Sequence, residues 1–205
     1  YAYSEDVWFS SNSGTPVTIK HPDEDDITGD QQNFIADYFN KMEAAVFASN
    51  FTSETEGYRK YLDLDSFLKN FIVGEFAGNT DTYWSVYMYK DAADGKLYTG
   101  PIWDYDLAFE NDQRTYPINN LSDYIYASCG SVASEAMRSM VSRIVKQDPA
   151  AKARLLELWT AARTEGGLEP ISQILHGVYG RLQELAKLGS DISGVIFPVY
   201  VEDAS

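Results

Sequence analysis

Residues 79–112 read N-T-D-T-Y-W-S-V-Y-M-Y-K-D-A-A-D-G-K-L-Y-T-G-P-I-W-D-Y-D-L-A-F-E-N-D and place an acidic loop on each side of a predicted β-hairpin. Residues 85–90 alternate and are rich in Val and Tyr, residues 91–95 have turn composition, and residues 96–99 resume the strand pattern. The stretch therefore predicts two short antiparallel strands joined by a tight loop.

The two acidic loops are expected to meet. Antiparallel pairing brings the outer ends of a hairpin side by side, so Asp81, before the first strand, and Asp104, after the second, should be neighbours. Like charges held close raise each other's pKa and cost stability. A hard cation such as Mg²⁺ or Ca²⁺ would offset that cost, because it prefers carboxylate oxygen ligands. The hairpin therefore predicts a metal site at its open end.

Segments of the same stretch closely resemble the spore-coat protein H (CotH) kinase family, whose fold is a divergent protein-kinase-like one. They are N-T-D at residues 79–81, Y-M-Y-K at residues 87–90 and, above all, G-P-I-W-D-Y-D-L at residues 100–107. A further segment, L-D-L-D-S at residues 62–66, resembles the family's L-D-x-D-S-F segment, which opens the helix leading to the catalytic loop.

The resemblance implies a role for each carboxylate. Asp81 corresponds to the catalytic-loop carboxylate and Asp104 to the metal ligand, with Asp106 as the alternative metal ligand. The implied cofactors are ATP with Mg²⁺ (or Mn²⁺), and the implied acceptor is a Ser or another hydroxyl on a partner protein. The partners are then a nucleotide and a substrate, coat or surface protein.

One position departs from the family pattern. Many members carry an Asn shortly after the first Asp as a second metal ligand, and Ser85 stands in register with it here. Ser85 is thus the expected cofactor-binding residue, although a hydroxyl is a weaker oxygen ligand than an amide. The departure keeps a second hypothesis open, a catalytically inactive pseudokinase that acts as a structural or partner-binding scaffold in a bacterial spore coat or at the cell surface.

Composition narrows the classes of partner. The chain has 205 residues, is 44% hydrophobic and has a formal net charge of −15, which argues against nucleic acid and anionic membranes as partners. A single Cys, Cys129, excludes an internal disulfide. No run of 18 apolar residues predicts a membrane span. The chain opens at Tyr1, and we interpret it as a fragment whose export signal would lie upstream, as for a surface, secreted or spore-coat protein.

The predicted fold class is α+β and mainly helical. The resemblance implies a protein-kinase-like C-terminal lobe with small β-hairpins, from which the N-terminal lobe is largely absent. We expect residues 1–205 to form a single domain, the C-terminal portion of a CotH-like kinase domain. Residues 1–26 would be an N-terminal hairpin and acidic loop, and residues 27–205 the helical lobe with the acidic hairpin. The first hairpin is predicted from strand patterns at residues 7–10 and 16–20.

Capping signals and apolar periodicity predict the helices. A capping box at residues 28–31 begins a helix to about Ala48, with Phe34, Phe39, Met42 and Val46 among the residues on its apolar face. Asp63 or Asp65 begins a second helix that Gly78 ends, with an apolar face of Phe67, Leu68, Phe71, Ile72 and Phe76. The sequence leaves open whether Glu75 faces the core edge or the site.

Three further helices are predicted near the C-terminus. The first begins at Ser131 or Ser134 and ends near Gln147; the second begins at Asp148-Pro149, ends near Gly166 and has a core of Leu155, Leu156, Leu158 and Trp159. The third spans about residues 169–188. Residues 110–129 have no clear period and are predicted to form a long loop.

Two other site chemistries fit less well. Paired carboxylates among many Tyr and Trp residues are compatible with a carbohydrate-active protein, but only aromatic content supports glycoside hydrolysis. A calcium loop of EF-hand type fits poorly, because Ala108 occupies the third ligand position after Asp104 and Asp106. Phosphoryl transfer and the scaffold are therefore the leading hypotheses.

Overall fold

The computed structural model describes residues 7–90, 95–108, 124–128 and 134–164, and its architecture there is mixed and mainly helical. The strands form two separate antiparallel pairs, β1 (Val7–Ser10) with β2 (Pro16–Ile19) and β3 (Met88–Lys90) with β4 (Leu97–Thr99). The α-helices are α1 (Gly29–Phe47), α2 (Leu64–Ala77), α3 (Ile125–Ser128), α4 (Glu135–Gln147) and α5 (Pro149–Thr164). The described residues thus have the α+β class that the sequence predicts.

Both predicted hairpins are present. The β1–β2 turn is fixed to α1 by a buried acid: Glu43 accepts hydrogen bonds from the hydroxyl groups of Ser11 (2.8 Å) and Thr15 (2.5 Å). In the second hairpin the first strand is shorter than predicted and begins at Met88. The β4 strand is joined to the start of α2, because the Thr99 N–H donates to the Ser66 hydroxyl at 3.1 Å.

Helix α1 begins at the predicted capping box. The Thr28 hydroxyl accepts from the Gln31 N–H, and the Gln31 side chain accepts from the Thr28 N–H. Met42 and Val46 are fully buried. The prediction that Phe34 shares this buried face is wrong: it is 57% exposed, with the Tyr38 ring (centroids 6.2 Å apart) and the Lys90 ammonium (5.8 Å from the ring centroid) beside it.

Helix α2 also has the predicted ends. Asp63 is the N-cap and accepts from the Ser66 N–H at 2.8 Å, and Gly78 ends the helix in the left-handed conformation with φ 61°. Phe67, Leu68 and Phe71 are buried, and Ile72 packs partly buried against the core. Phe76 is 39% exposed, contrary to prediction, although the Trp159 ring of α5 lies against it at a centroid distance of 6.3 Å.

Helices α4 and α5 meet at Asp148, which is 1% exposed. Its carboxylate accepts from the Tyr58 hydroxyl at 2.7 Å and from the Ala150 N–H at 2.9 Å, so it caps α5 and holds the buried Tyr58 at once. Ala151 is buried on α5. The prediction that Leu156 belongs to the core is wrong, because it lies on the outer face of the helix and is 66% exposed.

The long loop predicted for residues 110–129 is partly wrong. Residues Ile125–Ser128 form the short helix α3, whose Ile125 and Tyr126 side chains are buried. Most of the remaining core side chains come from α1, α2 and α4, and the segments between the helices add Phe51, Tyr58, Leu62 and Tyr83. The third C-terminal helix predicted for residues 169–188 lies outside the described residues. No helix within the described ranges is long and apolar enough to span a membrane.

Helix α2 is the element that positions the acidic loops. It packs against α5, β4, α3 and the 3₁₀ turn Thr80–Tyr83 that directly follows it. The buried core that surrounds it contains Phe39, Met42, Val46, Tyr58, Leu62, Phe67, Leu68, Phe71, Tyr83, Met140, Val141 and Ile144. Helix α2, which is buried on one face, therefore adjoins both acidic loops.

Candidate active site

The structure brings three of the four predicted site residues to one narrow cleft. Asp81, Ser85 and Asp104 line it together with two amide side chains, Asn70 and Asn79. Its remaining walls come from the turn after α2 and from the loop after β4: Thr82, Val86, Tyr87, Pro101, Ile102, Trp103 and Tyr105. Asp81 and Asp104, which the sequence predicts to be neighbours, therefore line one cleft at the open end of the second hairpin.

Asp81 lies in the 3₁₀ turn Thr80–Tyr83, and its backbone is held on both sides. The Asn79 side-chain oxygen accepts from the Asp81 N–H at 3.2 Å, and Asn79 is 2% exposed. The Asp81 carbonyl accepts from the N–H groups of Trp84 (2.9 Å) and Ser85 (3.0 Å). An Asn at the start of a short turn makes this bond readily. The sequence thus fixes the backbone of Asp81 through its immediate neighbours.

Gly74 allows this turn to lie close against α2. A Cβ atom at Gly74 would lie 2.1 Å from Thr82 Cγ2 and 2.8 Å from Thr82 Cβ, far inside van der Waals contact. The Gly74 carbonyl also accepts from the Asn79 N–H at 3.1 Å. The position of the Asp81 turn therefore depends on the absence of a side chain at Gly74.

The second acidic loop has an unusual backbone at Asp104. Its φ angle is 56°, in the left-handed region that Asp and Asn adopt more readily than most residues, and its side chain is exposed at the cleft. The preceding Trp103 fixes the loop to the first one: its indole N–H donates to the Ser85 carbonyl at 3.1 Å, and its ring meets Tyr87 edge-on at 4.7 Å. The two loops are therefore joined directly.

Tyr105 makes a second link between the loops. Burial raises the pKa of its hydroxyl, and the neighbouring polar side chains of Thr82 and Asn79 act in the opposite direction. The hydroxyl thus lies beside the turn that carries Asp81. Asp106, two residues from Asp104, has an exposed side chain and is not among the residues that line the cleft.

The sequence left open whether Glu75 faces the edge of the core or the site. In the structure Glu75 contacts the back of the Asp81 turn, on the side away from the cleft. Its carboxylate accepts from the Tyr83 hydroxyl and from the N–H groups of Ile125 and Tyr126. Burial raises the pKa of Glu75, and these hydrogen bonds act in the opposite direction. Burial and the charge of Glu75 hold the pKa of Tyr83 well above its usual value, so its hydroxyl stays a donor.

Asn70 is a cleft residue that sequence reasoning missed. It lies on α2 one turn before Gly74, and the helical spacing of four residues places both on the side of α2 that faces the turn. A polar residue between the apolar Leu68 and Phe71 is the signal that could have found it. Asn70 also lines a wider apolar groove that adjoins the cleft and shares Pro101 and Ile102 with it.

The donor set of the cleft suits a hard cation. Its ligands would be oxygen atoms: the carboxylates of Asp81 and Asp104, the Ser85 hydroxyl and the amide oxygens. Among the described residues no group of three or more His, Cys, Asp or Glu side chains could jointly hold a metal ion. Mg²⁺ is commonly bound by one or two carboxylates together with substrate phosphates, so these residues fit a metal that arrives with a nucleotide.

Fold and cleft together define a mixed, mainly helical protein with two acidic loops held on one helix. Residues 3–172 match the family described as CotH kinase protein, and this match covers most of the chain. The chain therefore belongs to the CotH kinase family, and the resemblance seen in its sequence is confirmed. No curated protein and no solved structure matches it.

Proposed function

We propose that this protein is a metal- and ATP-dependent phosphotransferase that acts on hydroxyl groups of a partner protein, with Asp81 as the catalytic-loop carboxylate and Asp104 as the metal ligand. The observation that carries the proposal is the meeting of Asp81, Ser85 and Asp104 in one cleft, in a chain that belongs to a kinase family. Membership of the family, which rests on residues 3–172, also supports a kinase-like helical lobe that begins at residue 27.

Asp81 is suited to orient the acceptor hydroxyl and to take its proton. In the proposed reaction the acceptor oxygen bonds to the γ-phosphorus of ATP, the bond from that phosphorus to the β,γ-bridging oxygen breaks, and ADP leaves. The acceptor proton passes to the Asp81 carboxylate, which also orients the attacking oxygen. The hydrogen bonds that fix the Asp81 backbone keep its carboxylate at the cleft, and such positioning is a large part of catalysis in phosphoryl transfer.

Asp104, with Ser85, would hold Mg²⁺ or Mn²⁺, and the bound ion would neutralise charge on the phosphates. Asp104 is the better candidate than Asp106, because only Asp104 lines the cleft. The adjoining groove, with Tyr89 and Ile102 at its wall, offers a surface for the acceptor chain next to Asp81. A protein with a net charge of −15 repels free ATP, so nucleotide binding should require the metal.

The experiment compares three variants of the full-length protein. Asp104→Asn should weaken metal-dependent nucleotide binding, because it removes a charged ligand. Asp81→Asn should leave nucleotide affinity within about twofold and lower turnover by about 10²- to 10⁴-fold, the usual effect of losing a general base. Asp106→Asn is the matched control and should change neither quantity much.

The scaffold hypothesis makes the opposite forecast. Ser85, in place of the family's amide ligand, is the observation in its favour. If the protein is a scaffold, Asp81→Asn and Asp104→Asn should leave nucleotide affinity and turnover unchanged. Either variant should then raise the melting temperature by relieving repulsion between carboxylates. That combination would overturn the proposed phosphotransferase.

A further inference from the structure

Glu75 joins three parts of the fold through one carboxylate. Oε1 accepts from the Tyr83 hydroxyl at 2.5 Å and from the Tyr126 N–H at 3.0 Å, and Oε2 accepts from the Ile125 N–H at 2.7 Å. Glu75 belongs to α2, Tyr83 ends the 3₁₀ turn that carries Asp81, and Ile125 begins α3. One side chain therefore ties the Asp81 turn to two helices.

The contact is partly buried, and its Tyr83 side is shielded from water. Tyr83 is 3% exposed, and its ring belongs to the main hydrophobic core, so Glu75 is the acceptor available to its hydroxyl. Buried hydroxyl groups are costly to leave unpaired, so the Tyr83 ring is held where its hydroxyl can reach Glu75. The backbone of the turn must follow the ring, and Asp81 lies two residues before it.

Packing alone does not account for an acid at this position. Within the described part of the chain Glu75 makes no ion pair. The nearby cations contact Tyr126 instead: the Lys146 ammonium lies 5.2 Å from its ring centroid, and Arg138 donates to its carbonyl at 3.5 Å. A partly buried carboxylate without a counter-charge is costly, and an apolar side chain would fill the space at lower cost. What only a carboxylate provides is two acceptor oxygens that take three bonds together.

We propose that Glu75 is a positioning residue for Asp81: its carboxylate holds the Thr80–Tyr83 turn against α2 and α3 and so fixes the Asp81 carboxylate at the cleft. The inference rests on the catalytic role proposed above for Asp81. Glu75 itself does not line the cleft, so it acts through Tyr83 and the turn rather than by touching a substrate.

The first readout needs no activity. The amides of Trp84 and Ser85 both donate to the Asp81 carbonyl, so their hydrogen exchange reports directly on this turn. Glu75→Gln and Tyr83→Phe in the full-length protein should each speed exchange at these two amides by about tenfold or more relative to amides in α4. Unchanged protection in Glu75→Gln would overturn the proposal.

The second readout is kinetic. Glu75→Gln should lower kcat by about 10- to 100-fold, the scale of a misplaced catalytic group, and leave KM for the metal–nucleotide complex within about twofold. Because Glu75 and Tyr83 act through one contact, the double variant with Tyr83→Phe should be little worse than Glu75→Gln alone. Faster exchange at the turn with an unchanged kcat would contradict a positioning role.

Glu43→Gln is the matched control. Glu43 is a fully buried acid whose carboxylate, like that of Glu75, accepts several hydrogen bonds, but its two side-chain donors lie in the β1–β2 turn. Its replacement should lower stability and leave kcat and the exchange of Trp84 and Ser85 unchanged; an equal loss of kcat would show a general effect of destabilisation. If Asp81→Asn leaves turnover unchanged, the proposed phosphotransferase fails instead, and the exchange result alone decides whether Glu75 holds the turn.

Discussion

Gly74 shows how one missing side chain sets the position of a functional group. It lies within α2, where Gly is unfavourable by about 1 kcal/mol relative to Ala. The contact with Thr82 gives the reason for it, because Thr82 is 5% exposed and the atoms that a Cβ would strike include Thr82 Cβ itself. A β-branched side chain in a buried site cannot rotate out of the way easily. Relieving the clash therefore requires the turn, with Asp81, to move.

Gly74→Ala should lower the free energy of unfolding by up to about 2 kcal/mol, because the cost of overpacking, about 1–3 kcal/mol, outweighs the gain in helix propensity of about 1 kcal/mol. Gly29→Ala is the matched control: Gly29 opens α1 and has no atom within 4 Å of its added Cβ. It should be neutral or stabilising by up to about 1 kcal/mol. Denaturant unfolding measures both.

Thr82→Ser removes the atom closest to the added Cβ and should recover part of the loss in the Gly74→Ala background. Equal stabilisation by Gly74→Ala and Gly29→Ala would mean that the turn does not depend on the close approach. A loss that Thr82→Ser leaves unchanged would place its cause elsewhere in α2.

At the scale of elements, α2 is held to α5 by a bidentate ion pair. Arg154 donates to both oxygens of Asp65, at 2.8 and 2.7 Å. The hydrogen bond with Arg154 is the main reason that the pKa of Asp65 lies below its usual value of 3.8. Both side chains are about two-fifths exposed, so solvent screens the pair and its contribution to stability is small.

The pH dependence of this pair has a definite sign. Because the pKa of Asp65 is lower in the folded state, its contribution to stability is present above pH 3.8 and is lost as the pH falls through the folded pKa. Asp65→Asn should therefore lower the free energy of unfolding slightly at neutral pH and make no difference in strong acid. Denaturant unfolding of both proteins across that range checks this.

Asp37→Asn is the control for the same experiment, since Asp37 pairs with Lys41 within the exposed surface of α1. It should change stability little at any pH. A destabilisation by Asp65→Asn that persists in strong acid would show that the helix contact depends on side-chain shape rather than on charge. Arg154→Lys should lose most of the stabilisation that the pair with Asp65 contributes, because Lys cannot make a bidentate pair.

At the scale of the whole molecule, the net charge of −15 should make stability depend on ions. Monovalent salt screens the general repulsion, whereas Mg²⁺ should add a specific increment by binding at the cleft. At a hundredfold excess over its Kd, a bound ligand stabilises by about 2.7 kcal/mol. Mg²⁺ should therefore raise the melting temperature more than monovalent salt at the same ionic strength.

Asp104→Asn should lose the Mg²⁺ increment and keep the response to monovalent salt. The matched control is Asp25→Asn, in the exposed acidic loop before α1, which should keep both. If Asp25→Asn loses the increment to the same extent, Mg²⁺ acts on overall charge and Asp104 is not its ligand.

The errors of the sequence-based prediction share one cause. Phe34, Phe76 and Leu156 each fit an apolar helical periodicity, yet all three are exposed. Periodicity identifies one face of a helix, but the width of the buried part of that face depends on how much of it a neighbouring element covers. For the same reason the periodicity of α1 does not predict that the charged Glu43 is buried. The hydroxyl groups that it accepts from belong to the β1–β2 hairpin, outside the helix.

The sequence by itself determined the features that depend on residues close together in the chain. Thr28, Asp63 and Gly78 set helix ends through bonds within one turn. The strand and turn pattern around residues 79–112 predicted that Asp81 and Asp104 are neighbours, and both line one cleft. These signals act over three or four residues, or through the pairing of one hairpin, so they can be recognised without a fold.

Only the tertiary structure decided how the acidic loops are held. The bonds of Glu75 to Ile125 and Tyr126 join residues about 50 positions apart, and Tyr105 meets the Asn79 turn only after the chain has passed through β3 and β4. Such contacts depend on how α2 packs against its neighbours, and no short-range pattern encodes their partners. The acidic residues of the cleft can therefore be identified from the sequence, whereas the contacts that hold their loops in place depend on tertiary packing.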